Sequence, residues 1–158
     1  MSDVVSGIET EAHWVGPGDV AYERLRDLRH RLFFAEMVEG RGLLDDASET
    51  RAHHLVLTPP GRPSEVLAGG RGLRTHDRTY VISQMVVEPE FQGQGLGRRV
   101  VELLVDRAAR HGAHRVTLAA RVEAVGFYGA VGFTVCGEEF PSATTGVPHV
   151  MMELRPPR

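Results

Sequence analysis

The chain has 158 residues, a length suited to one domain with a sizeable core. Its composition, 42% hydrophobic and 25% charged, is that of a globular protein, and a net charge of −3 argues against a general nucleic-acid binder. A single cysteine, Cys136, excludes an internal disulfide; with no apolar run of membrane-spanning length and no signal-peptide core at the N-terminus, a cytoplasmic protein without a membrane partner is expected.

Residues 1–10 read as a loose lead-in, and Ala12 to Val15 as a short first strand. Gly16-Pro17-Gly18 breaks that strand. Asp19 then stands at the N-cap of a helix whose apolar face carries Ala21, Leu25, Leu28 and Leu32, running to about Phe34. Arg24, Arg26, Arg29, His30 and Arg31 crowd the same helix and read, for the most part, as a solvated basic face. Glu36 to Thr50 is polar and glycine-bearing, a loop or a short second helix. His53 to Thr58 is a strand on which the adjacent histidines face opposite ways, so no shared metal is expected there. Pro59-Pro60-Gly61-Arg62-Pro63 makes a hairpin loop, Glu65 to Arg71 the returning strand, and Thr79 to Val87 the next one.

The stretch from Gln84 to Arg110 organises the chain. An apolar strand ends at Pro89, which has no ladder donor. Gly93-Gln94-Gly95-Leu96-Gly97-Arg98 follows, and then a helix whose face is marked by Leu96, Val100, Leu103, Leu104 and Ala108. Strand, glycine-rich turn and helix make an anion-binding arrangement, because the first amides of a helix lack intrahelical partners and glycine lets backbone approach a phosphate. The other reading is a plain helix start with glycines for tight packing. The spacing is not the dinucleotide fingerprint, and no Gly-Lys-Ser/Thr ending marks a nucleoside-triphosphate loop.

Downstream, Gly112 ends the helix and Val116 to Ala120 is a strand. Ala124, Phe127 and Val131 mark one face of a short helix, turned by Gly132-Phe133 into another strand that holds Cys136 as a buried structural thiol. Pro148 places His149 on the last strand, with Val150 and Met152 alternating from it. A meander of strands followed by strand–helix–strand–helix–strand gives an α/β protein with a mixed sheet.

Gln92-x-x-Gly95-x-Gly97 after a strand resembles the pyrophosphate loop of the GNAT superfamily of acyl-CoA-dependent N-acyltransferases, written (Gln/Arg)-x-x-Gly-x-(Gly/Ala). About thirty residues on, Phe127-Tyr128-x-x-x-Gly132-Phe133 resembles the signature that closes that superfamily's acetyl-CoA site, and two motifs in order are more specific than either alone. Val147-Pro148-His149-Val150 is similar to a segment of the ElaA-like and glyphosate N-acetyltransferase-like branches. Arg29 to Phe34 resembles an Arg-x-x-(Val/Leu)-Phe segment of some branches, where the first helix lines the acceptor pocket.

The resemblance implies one GNAT domain over residues 1–158, with two parallel strands, at Met85–Val87 and Val116–Ala120, splaying apart around the cosubstrate acetyl-CoA and no metal. It implies cofactor contacts from Met85, Val86 and Val87 and from the loop Gln92, Gly93, Gln94, Gly95, Leu96, Gly97 and Arg98, with a backbone N–H near Val87 polarising the thioester carbonyl. Tyr128 is then the general acid that protonates the departing thiolate, against the plain alternative of a helix tyrosine in water. His149 is the base, against that of a strand histidine satisfied by a backbone carbonyl; Glu88, Glu138 and Glu139 are alternatives through water. Arg121, Arg31 and Phe34 fall to the acceptor, and a guanidinium at Arg121 suits an acidic amine such as an amino acid. The implied activity is acetyl transfer to a primary amine of a small molecule. The alternatives are acetylation of a protein N-terminus or lysine, and a catalytically silent acyl-CoA sensor. A homodimer through the C-terminal strands is compatible with the resemblance.

Overall fold

The structure, a computed structural model, describes residues 2–5, 7–34, 47–143 and 145–157. Two strands, β1 (Ser2–Val5) and β2 (Ile8–Val15), precede helix α1 (Val20–Phe34). Then come β3 (His53–Thr58), β4 (Ala68–Arg74), β5 (Thr79–Val87), α2 (Leu96–Arg110), β6 (Arg115–Arg121), α3 (Val125–Val131), β7 (Thr134–Val135), β8 (Phe140–Pro141) and β9 (Pro148–Leu154). The strands form one mixed sheet ordered β1-β2-β3-β4-β5-β6-β9-β7, with β8 also on β9. Every pairing is antiparallel except β5 with β6, which α2 joins by crossover.

Alternation along the central strands sends side chains to two helical layers. Leu55, Leu57, Tyr80 and Ile82 belong to the core under α2, with Val100, Val101, Leu104 and Ala108 from that helix. Val56, Val66 and Val86 meet Ala21, Leu25 and Leu28 of α1. β4 lets both layers come close because it is rich in glycine. A Cβ on Gly69 would sit 2.5 Å from Leu25, and one on Gly70 would sit 2.9 Å from Val100 and 2.6 Å from the Met85 sulfur.

β5 and β6 pair only at Thr79↔Arg115, Tyr80↔Val116 and Val81↔Thr117. Beyond Val81 they separate, and β6 continues with β9 alone as far as Arg121↔His149. The expected splay of parallel strands is therefore present, and it opens at the end of β5 that leads into α2.

Several expectations need correction. Residues 2–5 and 8–15 are strands, not a lead-in, and Gly7 at φ 83° supplies the left-handed turn between them. Asp19 does precede α1, but its carboxylate accepts from the Gly16 amide and so closes the preceding turn. β4 starts and ends three residues later than read, its last residues Gly72, Leu73 and Arg74 pairing with Ile82, Val81 and Tyr80 of β5. Cys136 is exposed: it follows β7, a two-residue edge strand, and its amide bonds the Met151 carbonyl. On α3 the packed positions are Val125, Tyr128 and Val131, while Phe127 is 40% exposed. Arg29 is fully buried, unlike the solvated face proposed for the helix arginines. Of the polar stretch after α1, residues 35–46 lie outside the described residues, and 47–50 form turns.

Candidate active site

The site grows from the junction of β5 and α2. Gly93 and Gly95 have φ of 78° and 87°, left-handed values that a side chain would strain. Gly95 is the N-cap of α2 and carries no side-chain cap, so the amides opening the helix are left for a ligand. Arg98 stands in the first turn and shares its guanidinium with Glu102 at 3.4 Å, an exposed pair that leaves it hydrated. Gly97 faces Phe127 and Val87, each 3.4 Å from where its Cβ would lie.

A cavity of about 510 Å³ runs along this junction, lined by Met85, Val86, Val87, Phe91, Gln92, Gly93, Gly95, Leu96, Gly97, Arg98, Phe127, Tyr128 and Ala130. Nine of the ten expected cofactor residues line it. Gln94 does not; its amide reaches the Glu90 carbonyl at 3.5 Å. Gln92 lines the cavity but is occupied: its side chain donates to the Val87 carbonyl (3.1 Å) and its backbone amide to Pro89. It braces the loop against the end of β5.

Val87 itself is turned toward the gap. Glu88 donates to the Leu67 carbonyl beside the pair Ala68↔Val87, which makes that pair a non-hydrogen-bonded one. The N–H and C=O of Val87 therefore point away from β4, to the side that β6 has left.

A second cavity, about 420 Å³, lies in the splay, lined by Phe33, Ile82, Ser83, Gln84, Met85, Leu118, Ala119, Arg121, Ala124, Tyr128, Ser142, Thr145 and His149. Met85 and Tyr128 line both cavities, so the two meet there. Burial pushes the Tyr128 phenol above its ordinary value, keeping it protonated at neutral pH. His149 pairs across the sheet with Arg121. Its Nδ1 lies 2.7 Å from the Val147 carbonyl. A carbonyl only accepts, so Nδ1 carries the proton and Nε2 holds the lone pair. The expected carbonyl contact is thus present, and it leaves a ring nitrogen able to take a proton. Arg121 is half exposed, with Glu123 at 3.7 Å.

The remaining expectations fare less well. Arg31 forms a two-pronged pair with Glu88 (3.0 and 3.1 Å) along a separate surface groove, which removes both from the second cavity. The Phe34 side chain lies outside the described residues, and Phe33 lines the cavity in its place. Glu138 and Glu139 are exposed and line neither cavity.

Two features escaped the sequence reading. Between Gly69↔Val86 and Arg71↔Ser83 the β4–β5 register slips, so Gln84 and Met85 together oppose Gly70 in a bulge. Gln84 has φ 54°, and its Oε1 is buried without a partner among the described residues. No periodicity marks such a bulge. The second is a buried polar cluster behind α1. Tyr22 donates to Glu49 (2.5 Å), Arg71 lies 2.9 Å and Arg29 3.8 Å from the same carboxylate, and Arg29 contacts His54 Nδ1 at 3.2 Å. Burial pushes the Arg29 guanidinium down to about 10, against the pull of Glu49, and lowers His54. Here a signal existed: Arg29 continues the i+4 series of Ala21 and Leu25, on the apolar face.

Among the described residues no helix is long and apolar enough to cross a membrane, and no group of three or more acidic, His or Cys side chains is arranged for a metal.

Comparison with known proteins gives a consistent picture. Residues 30–156, most of the chain, match the family described as an acetyltransferase (GNAT) domain. Glucosamine 6-phosphate N-acetyltransferase 1 of rice (Oryza sativa subsp. japonica) is 32% identical over 100 residues, which are 59% of this chain and 61% of that one. Among solved structures, ElaA of Escherichia coli superposes with a TM-score of 0.76 at 20% identity, covering 91% of this chain and 98% of its own. An aminoglycoside 6'-N-acetyltransferase complexed with coenzyme A gives 0.73 at 15% identity, covering 94% and 98%. At those identities the structural likeness speaks for the fold.

Proposed function

This chain belongs to the GNAT acetyltransferase family, and from that membership we propose that it transfers an acetyl group from acetyl-CoA directly to the primary amine of a small anionic molecule. The observation that carries the reading is the meeting of two cavities at Met85 and Tyr128, one ending on the uncapped start of α2, the other holding Arg121 and His149.

The residues present fit the cosubstrate. The opening amides of α2 and Arg98 suit a diphosphate, and the Val87 N–H, its carbonyl being held by Gln92, faces the gap in which the thioester end of the arm would lie. When bound, acetyl-CoA supplies a thioester, an acyl group activated toward amines. The chain's own groups do the rest. His149 Nε2 takes a proton from the attacking amine, whose lone pair forms the new C–N bond. The Val87 N–H donates to the carbonyl oxygen as it gains charge. Tyr128 gives its proton to the sulfur as the C–S bond breaks, and solvent carries the proton held by His149 to the Tyr128 phenolate, resetting both groups. Amide and free thiol result, with no covalent enzyme intermediate.

Arg121 supports an anionic acceptor, since a guanidinium at a strand end can hold a carboxylate or phosphate in two-pronged fashion. The rice relative's name places an amine and a phosphate on one small acceptor, the same chemical class. A cavity of about 420 Å³ suits a small molecule.

Thiol release from acetyl-CoA, measured against a panel of amines, tests this. Transfer to small amines bearing a carboxylate or phosphate, lost in favour of neutral amines in Arg121→Ala, is the expected result. No transfer to any small amine, or an unchanged preference in Arg121→Ala, refutes the acceptor class.

A further inference from the structure

The bulge in β5 places an unusual side chain in the acceptor cavity. Gln84 takes a left-handed backbone, φ 54°, which glutamine adopts only at a cost of about 1 kcal/mol. The insertion that creates it is tolerated because its opposite residue is Gly70, where a Cβ would collide with Met85, Val100 and Leu104. Sheet, glycine and strained residue are thus arranged around one position. The side chain placed there gains nothing from the fold in return: its Oε1 is enclosed and has no hydrogen-bond partner among the described residues. An unmet carboxamide oxygen is itself unfavourable. Yet Gln84 lines the cavity that also holds Arg121, Tyr128 and His149.

We propose that Gln84 is a specificity-determining residue, whose carboxamide oxygen accepts a hydrogen bond from the acceptor's amine. This rests on the acyl-transfer reading above and names the group that receives the nucleophile. Rotation about the last torsion of glutamine is soft, so the oxygen can be presented to the cavity the residue already borders. The chemistry of the missing partner follows from the atom. An amide oxygen only accepts, and a carboxylate, a phosphate dianion and a thioester offer it no donor. The amine is the group of the reaction that does. A neutral acceptor also has a kinetic merit. It holds an amine by its N–H while favouring the ammonium form, which cannot attack, far less than a carboxylate at the same place, which would raise the amine's pKa.

The division of labour in the cavity is then explicit. Arg121 holds the anionic group, His149 takes the proton, and Gln84 fixes the remaining N–H, so that the lone pair is aimed. Loss of one such hydrogen bond weakens the acceptor about tenfold.

Three variants test the assignment, with transfer kinetics over pH 6–9, acetyl-CoA affinity by calorimetry and thermal midpoints. Gln84→Met keeps the bulk and removes the hydrogen bond. Gln84→Asn suits a left-handed backbone better and withdraws the carboxamide by one methylene, so it folds at least as well as the parent. Both are expected to raise the acceptor KM about tenfold while acetyl-CoA affinity stays within twofold. Gln84→Glu is expected to move the acidic limb of kcat/KM to higher pH by about one unit, a change that a packing role would not produce. If Gln84→Asn is stable and keeps the parent's acceptor KM, or if the Gln84→Glu profile superimposes on the parent's, the proposal is wrong. Should the unmodified protein bind acetyl-CoA and transfer to no amine, the acyl-transfer reading falls with it; transfer by the parent with indifferent variants removes this inference alone.

Discussion

Tyr128, His149 and Arg121 were singled out from short motifs, and each lines the cavity for a reason the motifs do not contain. Tyr128 is on the packed face of α3, and its burial is what keeps the phenol protonated. On the acid role proposed for it, Tyr128→Phe should lower kcat by roughly 10²- to 10⁴-fold while acetyl-CoA affinity holds. Steady-state kinetics beside calorimetry will separate the two effects. The buried cluster makes a different forecast. Glu49 is the carboxylate between Arg29 and Arg71, and removing one partner of a buried pair leaves uncompensated charge. Glu49→Ala should cost about 3–5 kcal/mol in a urea titration, with Tyr22→Phe much milder. Histidines add a pH dependence. His53, desolvated and beside Arg107 and His111, is pushed down to about 4, and His54 is lowered also by burial. Both are held neutral in the folded state, while the unfolded chain takes up protons near pH 6.5. Stability should therefore be full above about pH 6.5 and fall as pH drops toward 4, read from denaturation midpoints across that window. Arg31 was misplaced because sequence gives the face of a helix and not the neighbour waiting there; Glu88, fifty-seven positions away, claims it.

The elements were more readable than the residues. β5 was delimited by its apolar run and Pro89, and α2 by its apolar spacing and the glycines before it. β4 was read as a strand but three residues early; within it Gly69 and Gly70 are where two helical layers press on one strand. The α2 start yields a forecast of its own. Gly95 needs a left-handed backbone and caps the helix without a side chain, so Gly95→Ala strains the cradle by about 1 kcal/mol and disturbs the amides around it. CoA affinity should fall by about tenfold with the far cavity unaffected. Leu104→Ala, on the core side of the same helix, should instead lower stability by about 2–5 kcal/mol.

At the scale of the whole molecule, mixed-sheet architecture followed from the order of strand and helix signals, because a crossover helix demands a parallel pair. The bulge and the hairpin of β1 and β2 did not follow from that order, since a one-residue slip leaves no periodicity and the first ten residues carry no clean alternation; the gap beyond Val81 was expected from the family resemblance alone. Binding should stabilise the whole fold by linkage: at a CoA concentration one hundred times Kd the gain is about 2.7 kcal/mol, visible as a rise in Tm. The parted strands have one more effect. Where β5 and β6 no longer pair, the β5 amides turned away from β4, that of Val87 among them, face an opening rather than a neighbouring strand. In heavy water those protons should be replaced quickly, while those turned to β4 stay guarded. The exchange pattern along this strand thus becomes a gauge of occupancy, slowing at the positions that face the opening as it fills.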